Sequence, residues 1–324
     1  MNKFVKVCFI TAGILMASGL VFSFIGAAAG GRNMFHFIKD NVRQDGELDI
    51  IEGTLEGLPE RIFGRKWYHN WGSNPTYLTI NGEKVNTEVW ETQIPVENIK
   101  NLSLELGAGE FYIREKNAAD GMVDVTIAGV GGCDYQVKDK TLYVEGFTGI
   151  RTLNMSGLSG YQNNLILTFP ARTDFSEIDV EAGAGTMEMV SLKAEEIKVV
   201  VGAGEFIMNQ MEAKELSAEV GAGRLDVSDM YAKDVSLMVG VGDCIYEGTI
   251  ENELEAECNM GNMSLTLDGK ESDYNYELEC SAGNIDIDGS VVTGLASKKS
   301  IQNGAARTFE LVCSVGNISI RFDK

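Results

Sequence analysis

Histidine is nearly absent from this sequence, and where it occurs it is badly placed for chemistry. His36 and His69 are the only two, and both precede the repetitive part of the chain. A metal site or an acid–base pair built on imidazole needs a partner at a useful spacing, and neither histidine has one. No CxxC pair occurs among the six cysteines, which removes the commonest zinc and redox motifs. Positive charge is also short: 27 basic residues stand against 48 acidic ones, a net charge of −21. Past Arg43 the imbalance is 22 to 47, so this part of the chain repels nucleic acid and anionic headgroups. The nine-residue GGxGxD calcium repeat is missing, and Asp286 and Asp288 in IDIDG lack the rest of a calcium loop.

What the chain has instead is a repeat. Residues 178–185 read IDVEAGAG, 197–204 IKVVVGAG, 216–223 LSAEVGAG and 235–242 VSLMVGVG. Their second glycines, Gly185, Gly204, Gly223 and Gly242, recur at a constant step of nineteen positions, the mark of a solenoid whose coils stack on one another. Apolar residues stand seven, five and three places before that glycine (Ile197, Val199, Val201) and two and four places after it (Phe206, Met208). Period-two alternation on both sides of a glycine predicts two short strands per coil, joined at a corner. Helices would need three- and four-residue spacing and would not tolerate paired glycines. The corner pairs are Gly107 and Gly109, Gly183 and Gly185, Gly202 and Gly204, Gly221 and Gly223, Gly240 and Gly242. Glycine suits a sharp corner because it adopts positive φ without steric cost. Ala184, Ala203, Ala222 and Val241 are expected to point into the narrow corner. A nucleotide-binding reading of Gly-x-Gly fails for want of a third glycine and a following helix.

The frame continues with altered corners. Gly261 keeps the step of nineteen, while Gly283 and Gly316 follow after longer steps of twenty-two and thirty-three. The longer steps predict loop insertions near Glu271–Tyr274 and Gly289–Ala306. Upstream, Gly109 precedes Gly185 by four whole periods. Strand-like stretches between them, Val123–Ala128, Tyr135–Val137, Leu142–Val144 and Leu165–Phe169, predict irregular coils of the same stack. Cys258, Cys280 and Cys313 take the place held by Val201, Val220 and Val239, so a ladder of buried free thiols is expected, although stacked coils lie within disulfide range. Asn262, Asn284 and Asn317 share the place after the glycine and predict an asparagine ladder at the corner.

Residues 7–31 contain no charge, an uncharged run long enough to span a bilayer. A retained anchor is the reading this length favours; a cleaved signal peptide, with Ala27–Ala29 as its small-residue site, is the alternative. Cys8 would then be a membrane residue. Segment 32–96 holds all three tryptophans (Trp67, Trp71, Trp90) and reads as a linker and a cap over the first coil. Three parts follow: 1–31 anchor, 32–96 linker and cap, 97–324 solenoid.

The corners GAGE, GAGT and GAGR at 107–110, 183–186, 202–205 and 221–224, and the stretch LILTFPARTDFSEIDVEAGAG at 165–185, are similar to those of bacterial DUF4097 proteins, a family of candidate adhesins. The resemblance covers about residues 97–324. It implies a parallel β-solenoid at a Gram-positive-like cell envelope, with a role in adhesion or envelope-stress signalling; the short N-terminus ahead of the hydrophobic run is what places the body on the extracellular side. No catalytic residue comes with the family.

The expected protein is therefore all-β, a parallel solenoid of nineteen-residue coils behind one N-terminal transmembrane helix. It is expected to be non-enzymatic and free of cofactors, with a membrane contact through 7–31 and a protein or envelope polymer as partner. Because alternation runs through Ile318, Ile320 and Phe322, an uncapped last coil is the alternative expectation, allowing bactofilin-like end-to-end self-association. A β-helix lyase is disfavoured, since Arg224 is the one basic residue at its corner position and no acid–base pair accompanies it.

Overall fold

The computed structural model describes residues 78–85, 87, 89–129, 131–147 and 163–323. The chain there is almost wholly strand. In order these are β1 (Leu78–Ile80), β2 (Glu83–Lys84), β3 (Val89–Pro95), β4 (Asn101–Glu115), β5 (Met122–Ala128), β6 (Gly131–Lys138), β7 (Thr141–Gly146) and β8 (Asn164–Phe169). There follow β9 (Asp174–Val190), β10 (Lys193–Asn209), β11 (Glu212–Asp268), β12 (Tyr274–Ile287), β13 (Ser290–Ile301) and β14 (Arg307–Asp323). Each long strand bends at its glycines, and β11 runs through three coils without a break.

The nineteen-residue period becomes a lateral register. Ile197 pairs with Ile178 on one side and Leu216 on the other, and Gly204 with Gly185 and Gly223, all parallel. Columns of like residues result. The column seven places before the corner runs Leu102, Ile178, Ile197, Leu216, Val235, Leu254, all buried. Five such inward columns form one continuous core, gaining on the order of 10 kcal/mol per coil before chain entropy is set against it.

A coil has three sides, not the two that alternation predicts. Leu192 and Ala194, Met211 and Ala213, Met230 and Ala232 are buried on a short third segment. Two bends enclose it. One is a break in the alternation at Glu195–Glu196, where Glu195 drops out of the register. The other is a left-handed residue six places after the corner glycine: Ser191, Gln210, Asp229 and Gly248, with Arg172 one period earlier.

Stack order departs from chain order at both ends of the regular coils. Gly109 lies directly on Gly185, because β4 pairs in register with β9. The expected strand-like stretches exist, but the described strands between these glycines, β5 to β8, are not successive coils leading from Gly109 to Gly185. They leave β4 on its other edge, where β7 pairs with its first half and β8 with its second. Beyond these, β6 and β5 continue the two sides antiparallel, and β1 and β3 complete them. At the far end β14 is inserted between β11 and β12. The last strand is thus internal. Its unbroken alternation reflects neighbours on both edges, not an uncapped end. The outermost strand is β13, antiparallel to β12; it replaces the loop expected over 289–306. The other expected insertion is a 3₁₀ turn at Glu271–Asp273.

Candidate functional site: a carboxylate row and the corner columns

Where alternation breaks at Glu195–Glu196, two successive side chains turn outward in every regular coil. Register then aligns Glu177, Glu196, Glu215, Asp234 and Glu253 in one row, all eight places before their glycines. Glu196, Glu215, Asp234 and Glu253 line a groove of about 370 Å³, flanked by Ser217, Ser236 and Glu255 and closed at one end by Thr308 and Glu310. Lys198 neutralises one end. Its ammonium lies 2.7 Å from Glu196 and 3.5 Å from Glu177, and the hydrogen bond to Glu196 raises its pKa. Asn252 Nδ2 donates to Asp234 Oδ1 at 2.6 Å. Among the described residues, Lys198 is the cation paired with this row. Strands spaced about 4.8 Å apart set the carboxylates at the same interval.

The corners carry a second set of columns. In the place after the glycine, Asn262 Nδ2 donates to Asp243 Oδ1 (3.0 Å), Asn317 Nδ2 to Asn262 Oδ1 (2.9 Å) and Asn284 Nδ2 to Asn317 Oδ1 (3.0 Å). The asparagine ladder is real, and its order is 262, 317, 284. Arg224, in the same column, is held by Asp226 at 2.5 Å and by Glu205 at 3.8 Å. The residue before the glycine points out of the corner rather than into it: Val241, Met260 and Val315 are among the most exposed large apolar side chains. The bend turns its concave side to the core, so the middle residue has nowhere to go but outward.

Cys258, Cys313 and Cys280 form the expected buried column, in that order, as free thiols. Burial pushes Cys313 up to about 12, helped by its thiol neighbours. Cys133 and Cys244 are buried and free as well. Burial likewise raises Cys133, Cys244 and Cys258, which disfavours the thiolate, the reactive form.

Asp286 is engaged by Arg321 at 2.5 Å and accepts from the Gly289 amide at 2.9 Å. Among the described residues no group of histidine, cysteine and carboxylate side chains could hold a metal, and no helix is long and apolar enough to cross a membrane. Residues 7–31, Cys8, His36, Trp67, His69 and Trp71 lie outside the described residues. Trp90 packs on Tyr135 with ring centroids 5.3 Å apart.

Sequence reasoning missed the carboxylate row because its members are counted from the glycine and lie outside the alternating window. It missed the left-handed column because Arg, Ser, Gln, Asp and Gly share no side-chain chemistry. A search for any positive-φ-tolerant residue at fixed offset would find only Asp229 and Gly248 of the five.

A profile of the Toastrack DUF4097 family matches residues 99–310. Among solved structures the chain is similar to a candidate cell-adhesion protein from Clostridium sporogenes, at 16% identity over 72% of this chain and 99% of that one, with a TM-score of 0.35. It is also similar to a candidate adhesin from Bacteroides fragilis, at 14% identity over 75% and 100%, with a TM-score of 0.41. A third is a candidate lipid-binding protein from Parabacteroides distasonis, at 10% identity over 75% and 99%, with a TM-score of 0.39. No functionally curated protein matches the chain.

Proposed function

The chain belongs to the Toastrack DUF4097 family, and we propose that it is a non-enzymatic binding module of the cell envelope, anchored through residues 7–31 with its coils on the outer side of the membrane. One observation supports binding above all: the register turns single outward positions into straight rows on a rigid support. A row of carboxylates at strand spacing suits an extended partner bearing repeated positive charges, a basic protein segment or a cationic envelope polymer. Each contact is weak alone, but several engaged together raise the overall affinity and the salt dependence.

Two experiments test this. For the location, intact cells carrying a tag after Lys324 are treated with protease; loss of the tag is expected, and protection until lysis would overturn the outward placement. For the row, the variant Glu196→Gln/Glu215→Gln/Asp234→Asn/Glu253→Gln is compared with one that removes the same charge elsewhere, Glu83→Gln/Glu91→Gln/Glu97→Gln/Asp139→Asn. With poly-L-lysine as the probe, the first is expected to lose at least tenfold in affinity and the second much less. Equal losses would reduce the row to bulk charge.

A further inference from the structure

β14 fills a slot whose two walls are matched to it. On one side it pairs with β11 from Leu254–Phe309 to Asp268–Asp323, on the other with β12 from Tyr274–Arg307 to Ile287–Ile320, both parallel. The three strands carry one motif, C-x-x-G-N, at Cys258, Cys313 and Cys280. The link between β11 and β12 is built for an intervening coil. The step from Gly261 to Gly283 is three positions longer than that of a regular coil, and the turn at Glu271–Asp273 lies in that link. Without β14 the two walls would face each other across one empty strand position with both backbone edges unpaired, an arrangement that invites a strand.

The contacts inside the slot are indifferent to which copy of the chain supplies the strand. Phe309 stacks on Tyr274 with centroids 4.1 Å apart, Cys313 lies between Cys258 and Cys280, and Asn317 joins the asparagine ladder. What ties β14 to its own slot is the crossover 302–306. Its hold is polar: Asn275 Nδ2 donates to Ala305 O (2.7 Å), and Asn275 Oδ1 accepts from Asn303 N (2.9 Å) and Ala305 N (3.3 Å). Asn303 Nδ2 donates to Tyr274 O (2.8 Å) and Glu271 O (3.2 Å). Gly304 at the crest has φ +73° and open space around it.

We propose that β14 is an exchangeable strand, that the partner the slot fits is a second copy of this chain, and that the Asn275 clasp biases each strand toward its own slot. Since slot contacts are equal in both arrangements, the balance is set by the clasp and by the effective concentration of the tethered strand. Extended, the crossover 302–306 spans about 17 Å, enough to carry β14 clear of its own walls. This inference does not depend on the carboxylate row or on where the protein resides.

The test uses the full chain in detergent. Light scattering after refolding is expected to show a rising dimer fraction from wild type through Asn275→Asp, which keeps both acceptor bonds, to Asn275→Ala. In parallel, Cys313→Ala is refolded together with Cys258→Ala/Cys280→Ala, and copper(II)–phenanthroline withdraws two electrons and two protons from each adjacent thiol pair. Exchange places Cys313 of one chain beside Cys258 or Cys280 of the other, giving a covalent heterodimer that dithiothreitol dissolves. A control mixture of Cys313→Ala with Cys258→Ala/Cys280→Ala/Cys313→Ala should give none. Monomer at every concentration for all three Asn275 forms, without covalent heterodimer, overturns the proposal.

Discussion

A Cβ on Gly204 would lie 2.0 Å from the carbonyl oxygen of Gly185 in the coil below. The backbone of Gly204 also has φ +122°, so two independent constraints exclude a side chain. Gly204→Ala is expected to lose about 3 kcal/mol or more, because the obstructing atom is backbone and cannot rotate away. Gly304→Asn is the contrast: its φ of +73° suits asparagine and nothing lies within 4 Å, so a change within about 1 kcal/mol is expected. Chemical denaturation of both variants checks the pair.

Part of this is legible in the sequence alone. Wherever a constraint selects one residue type, the sequence shows it: the buried thiols and the asparagines stand at fixed offsets from their corner glycines, even where the step between glycines departs from nineteen. Stack order is not legible at Gly261, Gly283 and Gly316. Their coils carry the same C-x-x-G-N pattern, so each fits beside either of the others, and chain order is then the wrong guide. The outward turn of Val241 and Val315 escapes sequence reading for another reason. Alternation tells inside from outside along a straight strand, but not at the residue where the strand bends.

Alkaline pH should destabilise the fold through its buried thiols. Burial first, and Asp134 second, push Cys133 up to about 12 from an ordinary value of 9.0. The folded state therefore holds this proton after the unfolded state has released it. Stability is intact below pH 9 and is lost as pH rises toward 12. The urea midpoint should fall over that interval, and Cys133→Ala should flatten the fall. Thiol labelling at pH 8 should reach Cys133, Cys244 and Cys313 only after denaturation.

Tyr246 buries its hydroxyl in the core with no hydrogen-bond partner among the described residues. Desolvating that group without compensation costs about 1–3 kcal/mol. Tyr246→Phe removes the hydroxyl and keeps the ring, so the melting temperature is expected to hold or rise. A fall of several degrees would mean that the hydroxyl is satisfied in solution.

Glu219 is in register with Val200, and half-burial among such neighbours, then the charge of Glu257, raises its pKa. A carboxylate raised in the folded state favours folding below its unfolded value and opposes it as pH rises past the folded one. Glu219→Gln should therefore stabilise at pH 7, by at most about 1 kcal/mol given solvent screening. At pH 3.5, where both states hold the proton, the gain should vanish. An equal gain at both pH values would assign the effect to packing.

Cys313 stands in a column that is valine at Val201, Val220 and Val239, and all of these are buried. If the thiol acts only as a small apolar group, Cys313→Val should be accepted within about 1.5 kcal/mol, one methyl group being the whole change in bulk. Cys313→Ser keeps the size but adds a stronger polar group with Cys258 and Cys280 as its neighbours, which should cost about 1–3 kcal/mol. The order of stability is then wild type, valine, serine. Serine close to wild type, with valine far below, would mean that the column needs small polarisable groups to let β14 seat between β11 and β12, and the ladder would be a seating device rather than a substitute for valine.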